Sequence, residues 1–146
     1  MSWDYPNPYI LSLRATAADI DEFDHVNNAV YVQWMEACAW QHSISLGLGF
    51  AEYQALDRGM AVLRHEIDYL ASAYEDEALE MATWIAYTEP RLTMDRYFQL
   101  RRVADDVTLL RAKTTFVCIE LSSGRPKRMP TEFVQGYSRA MLPKDA

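Results

Sequence analysis

Cysteine is scarce: the 146-residue chain carries two, Cys38 and Cys118, far apart and in no C-x-x-C or zinc-ribbon spacing. Neither a disulfide framework nor a cysteine-held metal is indicated, and both read as buried free thiols. Glycine (5) and proline (6) are also few, and no Pro/Gly/Ser-rich stretch, repeat or low-complexity tract divides the chain. That pattern counts against collagen-like and disordered classes and leaves one domain over residues 1–146 as the expectation. No segment approaches the roughly 18 uninterrupted apolar residues of a membrane span. The opening MSWDYPNPYI lacks the basic stretch and apolar core of a secretory leader, so a cytoplasmic protein is expected. Positive charge is missing from a definite region: residues 1–90 hold three Arg against fifteen Asp and Glu, whereas residues 91–146 hold eleven Lys and Arg against six acids. The net charge of −7 and pI near 4.9 argue against nucleic acid or an anionic membrane as partner. A small anionic ligand would turn its charged end toward the second region.

What the chain does have is hydrophobic periodicity. From Asn28 to Leu46 apolar residues fall around most of a helical circumference, with Asn27 or Asn28 placed as the cap and Gly47 following as a stop. At 1.5 Å per residue this helix is about 28 Å long. A shorter helix is expected over 50–57. After Gly59 the period changes to two: Ala61, Leu63, Ile67, Tyr69 and Ala71 alternate with Val62, Arg64, Glu66 and Asp68. Three more strands follow in EALEMATWIAYTE, RLTMDRYFQLRRV and DVTLLRAKTTFVCIEL, with ADD at 104–106 as a hairpin turn, and NPYILSLRAT supplies a first strand. Strands without intervening helices make an antiparallel sheet, so the class is α+β. A helix apolar on most sides leaves surface that one sheet cannot cover, which predicts a dimer.

The densest chemistry lies in DIDEFDHVNNAVYVQWME, residues 19–36, where Asp19, Asp21, Glu22, Asp24 and His25 precede Asn27 and Asn28 at the helix start. Acids beside a helix N-terminus are ordinarily stabilising, because unpaired N–H groups carry partial positive charge there. That account leaves the histidine and paired amides unexplained. A calcium loop fails because Asp24 stands where Gly is required and Val30 where Glu is. A zincin site fails because Tyr69 occupies the place of a second His after His65-Glu66. No G-x-S-x-G elbow or phosphate loop occurs. A carboxylate next to free first-turn amides around Asn28 and Ala29 suits hydrolysis of an activated acyl group: Asp21 activates water or attacks directly, and the amides stabilise the oxyanion.

At these residues the chain resembles the hotdog-fold thioesterases of the 4-hydroxybenzoyl-CoA thioesterase type, HVNN subgroup. The segment from Asp19 is similar to the pattern D-x-D-x-x-G-H-V-N-N-x-x-Y running into the central helix. IDYLASAYEDEALEMATWI and SSGRPKRMPTEF add weaker support. The resemblance implies a five-stranded antiparallel sheet wrapped around one long helix, a homodimer or dimer of dimers, and a site at the subunit interface that hydrolyses acyl-CoA or acyl-carrier-protein thioesters. It implies no metal or organic cofactor. By position, Asp21 matches the catalytic carboxylate, His25 and Asn27 the polar pair, and Asn28 lies near the oxyanion-hole amide, while Tyr31 packs. Asp24 stands where Gly is usual, a position that Asp occupies at some cost. Ala71 stands where many relatives have Pro.

Coenzyme A carries a 3′-phosphate and a pyrophosphate, for which Arg91, Arg125, Lys127 and Arg128 are the candidates. Taken one at a time, each reads first as part of a solvated face. His42 and His65 are read as structural, and Trp34, Trp40 and Trp84 as core rather than the lining of an acyl tunnel. Two other functions stay open: an acyl-thioester dehydratase or hydratase on the same fold, and a non-catalytic acyl-thioester binding module.

Overall fold

The computed structural model describes residues 3–146. The long helix α1 runs Asn28–Ser45. Its start is fixed locally, since Asn27 Oδ1 accepts the Ala29 N–H at 3.0 Å. Its end is equally local: Leu46 caps it and Gly47 turns the chain away at φ +80°. Before it come strand β1 (Tyr9–Arg14) and a single 3-10 turn (Ala17–Asp19). After it come α2 (Phe50–Leu56), β2 (Arg58–Tyr69), β3 (Ala78–Ile85), β4 (Thr93–Arg102), β5 (Thr108–Glu120) and α3 (Thr131–Ser138).

The five strands form one sheet in the order β1-β3-β4-β5-β2, antiparallel at every pairing, so β1 and β2 are its edges. This is the expected α+β hotdog arrangement. α1 turns one stripe of residues to the sheet, Tyr31, Met35, Cys38, Ala39, His42 and Ser43. Met81, Phe98, Leu100 and Leu110 meet it from the strands. The opposite side of α1, with Gln33, Glu36 and Ala37, is exposed. The apolar surface that the sequence spreads around most of the helix is thus concentrated on a narrower stripe.

Two departures from strict alternation have physical causes. The register of β2 against β5 slips between Val62 and Arg64, a bulge that inverts the facing of the strand. Val62, expected on the polar face, lines the wall of an open cavity while staying 45% exposed, and Leu63, expected inside, is 63% exposed. In β3 every residue from Met81 to Ile85 is buried, not alternate ones. The outer face of the sheet is covered there by Trp3 and Tyr5, whose rings contact Trp84 edge-on at 6.2 and 5.4 Å.

The helix that patterning misses is α3, which follows Pro130 and buries Phe133, Gly136 and Tyr137. With Leu48, Tyr53, Ile85, Met94 and Cys118 these residues build a second core beyond the C-terminal end of α1. Among the described residues no helix is long and apolar enough to cross a membrane.

Candidate active site

The segment before α1 folds back on itself. The Asp21 N–H donates to the His25 carbonyl at 2.8 Å, the Asp24 N–H donates to the Asp21 carbonyl at 3.2 Å, and Ile20 bridges Val26. This reversal requires a left-handed residue, and Asp24 supplies it at φ +63°. The Asp21 side chain closes the loop from inside: Oδ1 accepts the N–H of Phe23 at 2.9 Å and of His25 at 3.3 Å. Oδ2 has no hydrogen-bond partner among the described residues. Asp21 is half-buried.

The facing wall is the end of β2 and the segment after it. The Val26 N–H donates to the Ala73 carbonyl at 3.0 Å, and the Ala73 N–H donates to the buried Tyr31 hydroxyl at 3.0 Å. Tyr31 therefore packs and ties, as expected. The Tyr69 hydroxyl donates to the Asn28 carbonyl at 3.3 Å. His25 Nδ1 and Ser72 Oγ are 3.2 Å apart, and the Tyr74 ring meets the imidazole edge-on at 5.1 Å. Arg102 donates to the Ser72 carbonyl at 2.9 Å while paired with Glu77 at 2.7 Å and Asp105 at 2.9 Å, so the end of β4 holds this wall in place. Both Leu70 and Ala71 donate N–H to the Leu109 carbonyl, at 2.9 and 3.2 Å. A proline at position 71 has no N–H to give.

Between the walls lies a cavity of ≈ 530 Å³ lined by Asp21, Phe23, His25, Asn28, Tyr69 and Ser72 among others. At the start of α1 the Ala29 N–H is taken by the Asn27 side chain and the Val30 N–H by the Asn27 carbonyl at 2.9 Å. The Asn28 N–H has no acceptor among the described residues, as the first residue of a helix leaves it. The cavity thus combines a carboxylate oxygen, a free first-turn amide and an imidazole. Asn27 is not on its wall: its side chain is occupied as the cap.

The four basic candidates stand elsewhere. Arg91, Arg125, Lys127 and Arg128 are exposed, and Arg91 is brought to the others by its carbonyl, which accepts the Met129 N–H at 2.7 Å. Arg125 and Lys127 share a surface hollow with Glu120, to which Lys127 is paired at 2.8 Å. Glu120 pairs with Arg58 at one end of β2, and Leu110 pairs with Tyr69 at the other. At about 3.3 Å per residue the basic end is roughly 33 Å from the Asp21 cavity of the same chain. His65 bonds Thr114 Oγ1 at 2.7 Å, and both cysteines are buried and unpaired. Burial pushes the Cys38 thiol up to about 12, where no thiolate is available. The residues that sequence reasoning did not assign to this site are Tyr69, Ser72 and Arg102. Tyr69 and Ser72 lie inside the quoted IDYLAS segment, which was the signal available.

The model of the thioesterase-like superfamily matches residues 15–136. No curated protein sequence matches the chain. Among solved structures, Slr0204, a 1,4-dihydroxy-2-naphthoyl-CoA thioesterase from Synechocystis, is similar at TM-score 0.80 and 17% identity over 90% of this chain and 96% of its own. The Staphylococcus aureus protein SAV2348 in complex with CoA is similar at TM-score 0.84 and 16% identity over 98% and 91% of the two chains. The DHNA-CoA thioesterase from Staphylococcus aureus is similar at TM-score 0.81 and 18% identity over 90% and 89%.

Proposed function

The chain belongs to the thioesterase-like superfamily, and from that membership we propose that it hydrolyses an acyl thioester to free acid and thiol, with Asp21 delivering oxygen to the carbonyl carbon. One observation carries the residue assignment: the unbonded Oδ2 of Asp21 and the unpaired Asn28 N–H belong to residues that line one cavity. Binding places the thioester carbonyl oxygen against the Asn28 amide. Asp21 attacks the carbonyl carbon, or takes a proton from a water that does so. The resulting oxyanion is held by that amide at the positive end of α1. Collapse breaks the C–S bond, and the departing thiolate takes the proton drawn from water; after direct attack, that water cleaves the acyl–Asp21 anhydride, which releases the free acid and restores the carboxylate. His25, tethered to Ser72, orients the substrate, whereas Asn27 stabilises the helix start.

The HVNN sequence at residues 25–28 supports assignment to the 4-hydroxybenzoyl-CoA thioesterase type, and the CoA bound by the similar S. aureus protein supports a CoA thioester as substrate. Phosphate binding by Arg91, Arg125, Lys127 and Arg128 then requires a second copy. Antiparallel pairing of two β2 edges about a two-fold near Leu63 brings Arg58 of one copy beside the Tyr69 end of the other. That pairing moves the basic end of each chain toward its partner's Asp21 cavity. Exposure of Val62 (45%) and Leu63 (63%) on this edge supports such a dimer. The free, buried cysteines suit the reducing cytoplasm.

Thiol release from a panel of acyl-CoA and acyl-carrier-protein thioesters tests the reading. Asp21→Asn is expected to lower kcat by about a hundredfold or more. Unchanged thiol release would remove Asp21 from the mechanism. Double-bond hydration without thiol release would instead indicate a hydratase, and tight binding without turnover a binding module.

A further inference from the structure

A second cavity, of ≈ 440 Å³, opens under the C-terminal half of α1 and shares no lining residue with the first. Its walls are mostly apolar, from Ala39, Trp40, Met60, Val62, Met94 and Phe116. Arg96 also lines it, a cation that is only 1% exposed. A buried guanidinium is ordinarily paired with a carboxylate, because desolvating an unpaired charge is costly. Arg96 is not paired with one. Its acceptors are His42 Nδ1 at 2.8 Å and Ser43 Oγ at 3.1 Å, which use two of the five donors that a guanidinium carries. The Tyr137 ring faces it at 6.0 Å.

All of these partners are neutral. Burial, and then Arg96 itself, hold the His42 imidazole down to about 4, so it is an uncharged acceptor. No carboxylate among the described residues lies within ion-pair reach of Arg96 or contributes to its electrostatics. Glu36, the one acid among the described residues on the cavity wall, is exposed and makes no ion pair with any of them. Beside the guanidinium, Ser43, Tyr53 and Tyr137 put hydroxyls on the same wall, joined to one another through Tyr137.

We propose that this cavity binds a carboxylate carried on an apolar body, with the carboxylate on Arg96 and the apolar body between α1 and β2. A carboxylate supplies the counter-charge that the protein withholds, and its fork matches that of the guanidinium. The hydroxyls of Ser43, Tyr53 and Tyr137 extend the hydrogen bonding, and the apolar walls bury the tail. The volume falls in the range of small-molecule sites. Two sources offer this chemistry: a free carboxylic acid, or the far end of an acyl chain that carries a second carboxyl group.

Titration calorimetry on the full chain separates the outcomes, with sodium octanoate as probe and 1-octanol as its uncharged counterpart. Octanoate is expected to bind about tenfold more tightly than octanol, or better. Arg96→Met erases this preference while keeping an apolar wall. Ala37→Phe, which narrows the mouth without touching the guanidinium, weakens octanoate, and Asp21→Asn leaves it unchanged. Equal affinity for octanoate and octanol would overturn the proposal. So would octanoate binding that Asp21→Asn abolishes and Ala37→Phe spares, since the acid would then sit at the start of α1. These titrations need no turnover, so they fail or succeed independently of the hydrolysis proposed for Asp21.

Kinetics then assign the source. A lower KM for the CoA thioester of an α,ω-dicarboxylic acid than for the monoacid thioester of equal length, lost in Arg96→Met, assigns the distal carboxylate. Octanoate altering the turnover of octanoyl-CoA without competing with it assigns a free acid.

Discussion

Asp24 and Asp21 show how single side chains set the geometry of the first cavity. Asp24 accepts a left-handed backbone that glycine takes without penalty, and the reversal it permits lets the Asp21 carboxylate bind two amides of its own loop with one oxygen. The other oxygen is thereby left without a partner among the described residues. His42 has a different role, as the neutral acceptor of Arg96. Burial and the guanidinium keep its proton off until about pH 4, whereas the unfolded chain binds that proton near its ordinary 6.5. Between those values the unfolded state holds more protons. The His42 contribution to stability is therefore present in full above about pH 6.5 and is lost as pH falls toward 4, by roughly 3 kcal/mol at the lower end. In His42→Gln, which keeps an acceptor for Arg96, the loss of stability between about pH 6.5 and pH 4 is expected to be smaller by that order, as chemical denaturation at each pH will measure. At this scale the motif residues were legible, because their types and spacing encode the loop. Arg96 was legible only as a cation in phase with Met94, Phe98 and Leu100; that it lacks a carboxylate depends on α1, α2 and α3, which supply the groups around it.

Elements that define their own ends were also legible. α1 carries its cap and its stop within the sequence, and the strands carry a period of two. α3 was not: eight residues with an internal glycine give little periodic signal, and the helix forms because Phe133 and Tyr137 find Tyr53, Met94 and Cys118 around them. Gly136 marks how closely it docks, since a Cβ there would come within 2.6 Å of Leu48 Cδ1. Gly136→Ala is expected to destabilise the protein by about 1–3 kcal/mol, in spite of the better helix propensity of alanine, because Leu48 is already buried. A lowered denaturation midpoint at unchanged slope is the readout. The bulge in β2 is a similar case. Alternation places Val62 outside and Leu63 inside, and one extra residue against β5 turns Val62 toward the second cavity and Leu63 away from the core.

For the whole molecule, the separation of charge along the sequence becomes a separation in space: the acid-rich loop and the basic turn lie at opposite ends of β2 and β5. Two-fold pairing at the β2 edge reunites them between copies. Leu63→Lys, which sets like charges across the proposed two-fold, is expected to shift sedimentation toward the monomer and to lower turnover with it, while stability of the monomer changes by no more than about 0.5 kcal/mol. The sequence by itself determined the class, the order of helix and strands, and the loop that presents Asp21, since each of these follows from contacts a few residues apart. Tertiary structure alone decided which face of β2 lines a cavity, which strand residues are covered on both sides, and that a buried arginine stands without a carboxylate. Those outcomes depend on strand register and on groups distant along the chain meeting in space, and local spacing carries no record of either.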